Sequence, residues 1–194
     1  MSRRRLIELL VALGVLLLLL AVFLVRPTAR KTGVPPVQLF QRASGTPPDF
    51  GTGSYAALTA AAPDSQRVLV LYPVEFEERA DLYVVPRGGG DGYRLVLEDS
   101  VRAQDTPKAI GWLDHTHAWV TVGPTYGTVS PGGDLYALDP ASGLAASLWV
   151  SPDSGRTQAV GFTPPNVVRL KVFDANMDHP RDSTVTLTRA PTAW

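Results

Sequence analysis

Within Trp112 to Val120, the run Asp114-His115-Thr116-His117 sets a carboxylate and two imidazoles into four residues. On a strand, His115 and His117 would share a face. With Asp114 they would make the beginning of a divalent-metal site, and so of a metal-dependent hydrolase. A catalytic zinc needs three protein ligands and an open position, and the one other histidine in the chain, His179, lies far along it. The run therefore reads as a hairpin turn, with the hydrolase kept as an alternative. A second cluster, Asp174, Asn176 and Asp178 in DANMDH, has the oxygen spacing that opens a calcium loop. The glycine required at the sixth position is His179 and the bidentate glutamate required at the twelfth is Val185, so a solvated turn is expected. EFEER (Glu75 to Arg79) pairs carboxylates in a way that would serve acid–base chemistry if one were buried; on a connection it reads as an exposed face. RGGGDG (Arg87 to Gly92) lacks phosphate-loop spacing and precedes a strand, not a helix, so it reads as a hairpin turn, as does PGGD (Pro131 to Asp134). There is no G-x-S-x-G elbow. No catalytic residue, metal ligand or cofactor is assigned.

The elements that would position these residues are strands. From Tyr55 onward, short β-branched and aromatic runs alternate with Gly, Pro, Asp and Ser turns, the pattern of an antiparallel all-β domain. Only AALTAAA (Ala56 to Ala62) has the propensity for a helix. An internal repeat organises the strands. AAPDSQRVLV (61–70), GWLDHTHAWV (111–120) and GFTPPNVVRL (161–170) stand fifty residues apart, each a small residue, an apolar one, a turn and a strand. DLYVV (81–85), DLYAL (134–138) and STVTL (183–187) supply a further strand, and YRLVLE (93–98) and LAASLWV (144–150) a last one in two units. The fold expected is three antiparallel four-stranded meander units. The third lacks its final strand, which Val37 to Phe40 would supply. In this alignment Asp114 to His117 falls on plain turn residues of the other units. Trp112, Trp119, Trp149, Phe162 and Phe173 fall at strand positions suited to core packing.

Ala62 to Ser65 (APDS) with Val68 to Leu71, and the DLYVV and DLYAL strands, resemble the blades of TolB-like, WD-repeat-related β-propellers of extracytoplasmic proteins. The resemblance covers about residues 55–188. It implies a propeller-like array with loops presented to a protein partner. Closed propellers have about four to eight blades, so three units imply an incomplete ring, with a β-sandwich as the alternative. Unpaired sheet edges would then need cover from self-association or a partner.

The N-terminal third differs in kind. LIELLVALGVLLLLLAVFLV (Leu6 to Val25) has twenty residues, which as a helix would span about 30 Å, the thickness of a bilayer core. It is bulky and basic on its C-terminal side, which favours an uncleaved single-pass signal-anchor over a signal peptide cleaved to release a secreted protein. Residues 1–5 are expected as a cytoplasmic tail, 6–25 as a transmembrane helix, 26–54 as a Pro/Gly-rich linker and 55–194 as the extracytoplasmic domain, periplasmic or cell-surface. Six of the 18 basic residues lie in residues 1–31, so the rest of the chain is net acidic and no nucleic-acid partner is expected. With no cysteine, disulfides, thiol catalysis and a lipidated cysteine are excluded within these 194 residues. The function expected is a membrane-anchored binding or scaffold protein that engages a protein partner or a second copy. The alternatives are the hydrolase above and a small-ligand sensor.

Overall fold

The computed structural model describes residues 35–44, 47–50, 55–75, 77–88, 90–98, 104–125, 130–152 and 154–188. The stretch Leu6 to Val25, expected to be a transmembrane helix, lies outside them. Among the described residues, no helix is long and apolar enough to cross a membrane. The residues from Val34 onward form one compact unit.

Its strands are β1 (Val37–Gln38), β2 (Phe40–Ala43), β3 (Ala56–Ala61), β4 (Arg67–Val74), β5 (Asp81–Pro86), β6 (Tyr93–Leu97), β7 (Asp105–Trp112), β8 (Ala118–Pro124), β9 (Asp134–Leu138), β10 (Leu144–Trp149), β11 (Thr157–Thr163), β12 (Val167–Val172) and β13 (Arg181–Thr186). All pairings are antiparallel. They build three sheets, ordered β2-β6-β5-β4-β3, β1-β10-β9-β8-β7 and β11-β12-β13. The all-β fold and the repeat are therefore present. Trp112 faces Ala118 and Phe162 faces Val168, the same register displaced by fifty residues. The first strand of each unit also carries a β-bulge, at Ala56/Leu58, Pro107/Ala109 and Ala159/Gly161.

Burial explains the differing strand compositions. β8 (AWVTVGP) and β9 (DLYAL) are buried nearly throughout because the second sheet is covered on both faces. Val120, Val122 and Leu138 join Leu69, Leu82 and Leu95 of the first sheet in one cluster, while Trp119 and Leu135 join Phe162, Val168 and Leu170 of the third. At the second junction the two backbones meet directly: Gly133 N donates to Ala159 O (3.0 Å) and Ala159 N to Gly133 O (2.9 Å). A Cβ on Gly132 or Gly133 would collide with backbone, so PGGD is a point of close approach between sheets as well as an entry to β9.

Three expectations are corrected. AALTAAA forms no helix: Ala56–Ala61 is an edge strand paired with β4. Cross-strand pairing overrides alanine's helix propensity. Val37 to Phe40 does not complete the third unit. Val37–Gln38 pairs with β10 and Phe40–Ala43 with β6, so this one segment gives a fifth strand to each of the first two sheets, and the third is left with three. The TolB-like propeller is not what these strands form. Among the described residues the sheets stack with the second in the middle, and no ring closes.

Candidate functional site

Asp114 sits on the β7–β8 hairpin turn, and its carboxylate holds that turn together. Oδ1 accepts hydrogen bonds from the backbone N–H groups of Thr116 (2.7 Å) and His117 (2.7 Å) and from the Thr116 hydroxyl (2.8 Å). His117 Nδ1 lies 3.1 Å from Oδ2. Desolvation alone would raise the Asp114 pKa; the donors from Thr116 and His117 outweigh it and hold the carboxyl well below the ordinary carboxylate range. His115 contributes its carbonyl oxygen, not its ring, to a contact: it accepts from the Arg67 guanidinium, which also lies 5.2 Å from the centroid of the Trp112 ring. The turn thus joins the first two sheets.

Asp174 repeats the device on the β12–β13 connection. Its Oδ1 accepts from the N–H groups of Asn176 (2.9 Å) and Asp178 (2.9 Å), and His179 Nδ1 lies 3.2 Å from Oδ2. These bonds, that from Asp178 foremost, lower its pKa. Met177 and His179 take the left-handed conformation, with φ of 61° and 49°. Asp64 and Asp139 accept from backbone N–H groups two residues on in the same way. The two Asp–His clusters that looked like metal chemistry are the most elaborate members of a set of aspartate-capped turns. No group of three or more His, Asp or Glu side chains among the described residues is placed to hold a metal ion.

A cleft of about 620 Å³ opens elsewhere, where all three sheets contribute to one wall. Leu71 and Pro73 come from β4, Pro107 and Lys108 from β7, and Phe173 and Met177 from the β12–β13 connection. The acids of the EFEER stretch meet this cleft: Glu75, Glu77 and Glu78 stand exposed at its border, while Phe76 lies outside the described residues. Arg79 turns away and donates to Leu97 O at 2.9 Å. Lys171, also on the wall, pairs with Asp182 across the β12–β13 ladder at 2.6 Å.

Lys108 is different. It is the extra residue of the β7 bulge, between Pro107, which faces Val122, and Ala109, which faces Thr121. A bulge re-aims the side chain it carries. Lys108 is half-buried, and that desolvation lowers its pKa; Asp105 opposes the shift only in part. Also on the wall, Thr125 is 5% exposed and its hydroxyl has no hydrogen-bond partner among the described residues. Neither residue stands out in the sequence. The one local signal is a lysine within TPKAIGW, and its meaning depends on a bulge that strand pattern does not reveal.

The family described as Domain of unknown function (DUF4652) matches residues 80–172. A solved structure, that of a Clostridium novyi protein described as a conserved lipoprotein, superposes with a TM-score of 0.64 at 20% identity, over 79% of this chain and 99% of that one. No curated protein matches. These likenesses overturn the TolB and WD-repeat resemblance: the match is to a different family, and the fold is that of the Clostridium protein.

Proposed function

We propose that this chain is a binding module held at the outer face of a membrane, with its ligand in the cleft between the three sheets. The observation that carries the reading is the cleft: three sheets contribute apolar side chains to a wall that also carries a half-buried amine, which among the described residues belongs to no ion pair. A concave pocket that sets polar groups beside apolar wall is how small-ligand sites are built. The outward location draws support from the apolar run Leu6 to Val25 and from the lipoprotein description of the Clostridium neighbour. A lipid cannot be joined to cysteine within these 194 residues, which contain none, so the tether in this reading is the apolar run.

The absence of cysteine makes the test clean. Ser154 is exposed, and Ser154→Cys in the full-length chain gives a single thiol. Labelling of intact cells by a membrane-impermeant maleimide is expected; labelling only after permeabilisation would overturn the location. For the cleft, Val74→Trp at its exposed border is expected to strip a co-purifying ligand, read by native mass spectrometry, without lowering the melting temperature. Retention of the ligand by that variant would place it elsewhere.

A second reading, a protein partner or a second copy added as a strand, has its own support. β13 is exposed at all six residues and pairs with β12 alone among the described strands. An open edge of this kind is a template for strand addition. Light scattering with cross-linking of the full chain tests it: a dimer or a captured chain linked through β13 is expected, and a monomer with no adduct there rejects it.

A further inference from the structure

Two of the charged groups at the cleft, Lys171 and Asp178, already serve the fold. Lys171 is paired with Asp182, and Asp178 is part of the Asp174 turn. Lys108 and the Thr125 hydroxyl do not: one is cationic and half-buried, the other a donor cut off from water and without a hydrogen-bond partner among the described residues. Burying an unpartnered hydroxyl, or an amine whose charge Asp105 offsets only in part, is unfavourable, and both lie on the wall of the same cleft. The bulge positions of the other two units carry Ala57 and Val160, which have no charge to satisfy. The same cleft offers hydrocarbon from Leu71, Pro107, Phe173 and Met177.

We infer that the cleft binds an apolar monocarboxylate, its carboxylate met by Lys108 and Thr125 and its hydrocarbon part laid on Leu71, Pro107, Phe173 and Met177. The inference rests on the cleft being the binding site and names the class of ligand it takes. A carboxylate supplies the acceptor that the hydroxyl lacks and the negative charge that Asp105 gives the amine only in part, and charge-assisted bonds of this kind are the strong ones. The border acids Glu75, Glu77 and Glu78 select the charge state. Exposed and screened over about 8 Å at physiological salt, they tolerate one deep negative charge and repel a polyanion such as a nucleotide or nucleic acid. Two sources share this chemistry: a free aliphatic acid and the C-terminal residue of a peptide with an apolar side chain.

The test is calorimetric titration of the full-length chain in lipid nanodiscs, with empty nanodiscs as the blank. Hexanoate and N-acetyl-leucine are the acids; hexanol and N-acetyl-leucinamide are their neutral counterparts. Each acid that fits is expected to bind at least tenfold tighter than its counterpart, about 1.4 kcal/mol. Lys108→Met is expected to erase that preference, Lys108→Arg to keep it, and Thr125→Val to reduce it. The melting temperature separates this role from a structural one: Lys108→Met removes a desolvated charge, so it melts higher than the parent while losing the ligand. A preference for hexanoate points to free acids and one for N-acetyl-leucine to peptide ends; either supports the inference. If acids and neutral counterparts bind equally, the carboxylate is wrong and the cleft stands. If no probe of either kind binds, both fall.

Discussion

Asp114 shows how one side chain can look like chemistry and act as structure. Its carboxylate receives two backbone N–H groups and a hydroxyl within one hairpin. Replacing it with alanine leaves those donors to water on a partly exposed turn. The expected cost, discounted for exposure, is about 1 kcal/mol, and the melting temperature should fall by about 2–4 °C. Asp114→Asn keeps an acceptor and removes the charge, which gives the pH signature. The folded pKa lies below the ordinary 3.8, so the unfolded chain binds the proton more readily. The stability due to ionisation is complete above the unfolded pKa and is lost as pH falls towards the folded one. Thermal melts of the parent and Asp114→Asn should therefore differ most at neutral pH and converge below about pH 4. A constant gap down to pH 2 would mean that the charge contributes nothing. Changing His115 and His117 to alanine should leave the metal content of the purified chain unaltered, because among the described residues neither ring stands in a group of three possible ligands.

Among the strands, the glycines at the start of the second and third repeats mark places where an opposite side chain folds over the backbone. Gly111 faces Trp119 and Gly161 faces Arg169. A Cβ at Gly111 would collide with the Trp119 indole, which is 5% exposed and fixed in the core between the second and third sheets. At Gly161 it would meet only the guanidinium end of Arg169, a flexible and exposed side chain. Gly111→Ala should cost about 1–3 kcal/mol as an overpacked core, and Gly161→Ala close to nothing; chemical denaturation of both variants checks the contrast, and equal costs would refute it. The same repeat made most strands legible, since tight turns and alternating patterns are local. What was not legible depends on contacts distant in sequence. Ala56–Ala61 is a strand because β4 lies beside it, a fact absent from its own composition. Lys108 acquires its setting from three sheets at once, whereas the Asp–His clusters, compact in sequence, attracted notice out of proportion to their chemistry.

Over the whole unit, the short segment from Val37 to Ala43 couples sheets that the repeat treats as independent. It leaves β10 of the second sheet and joins β6 of the first, and at the crossing the N–H groups of Leu39 and Phe40 both donate to the carbonyl of Gly143, at 3.2 and 3.1 Å. Gly143 has φ of +77°, and a Cβ there would collide with the Phe40 carbonyl, so the turn and the crossing are built for one another. Phe40 is fully buried in the cluster shared by the first two sheets. Truncating it should cost about 3–5 kcal/mol, and where that loss appears tests the architecture. If the crossing couples the sheets, hydrogen exchange in Phe40→Ala should accelerate together in β4–β6 and in β8–β10, because the lost contacts belong to both. The third sheet offers the internal reference. It packs through a separate cluster built on Trp119 and Phe162, and its outer strand β13 is exposed throughout, so β13 should exchange earliest in the parent and change least in the variant. Acceleration confined to β4–β6 would show the first sheet loosening alone, and the segment would then be a covering strand with no coupling role.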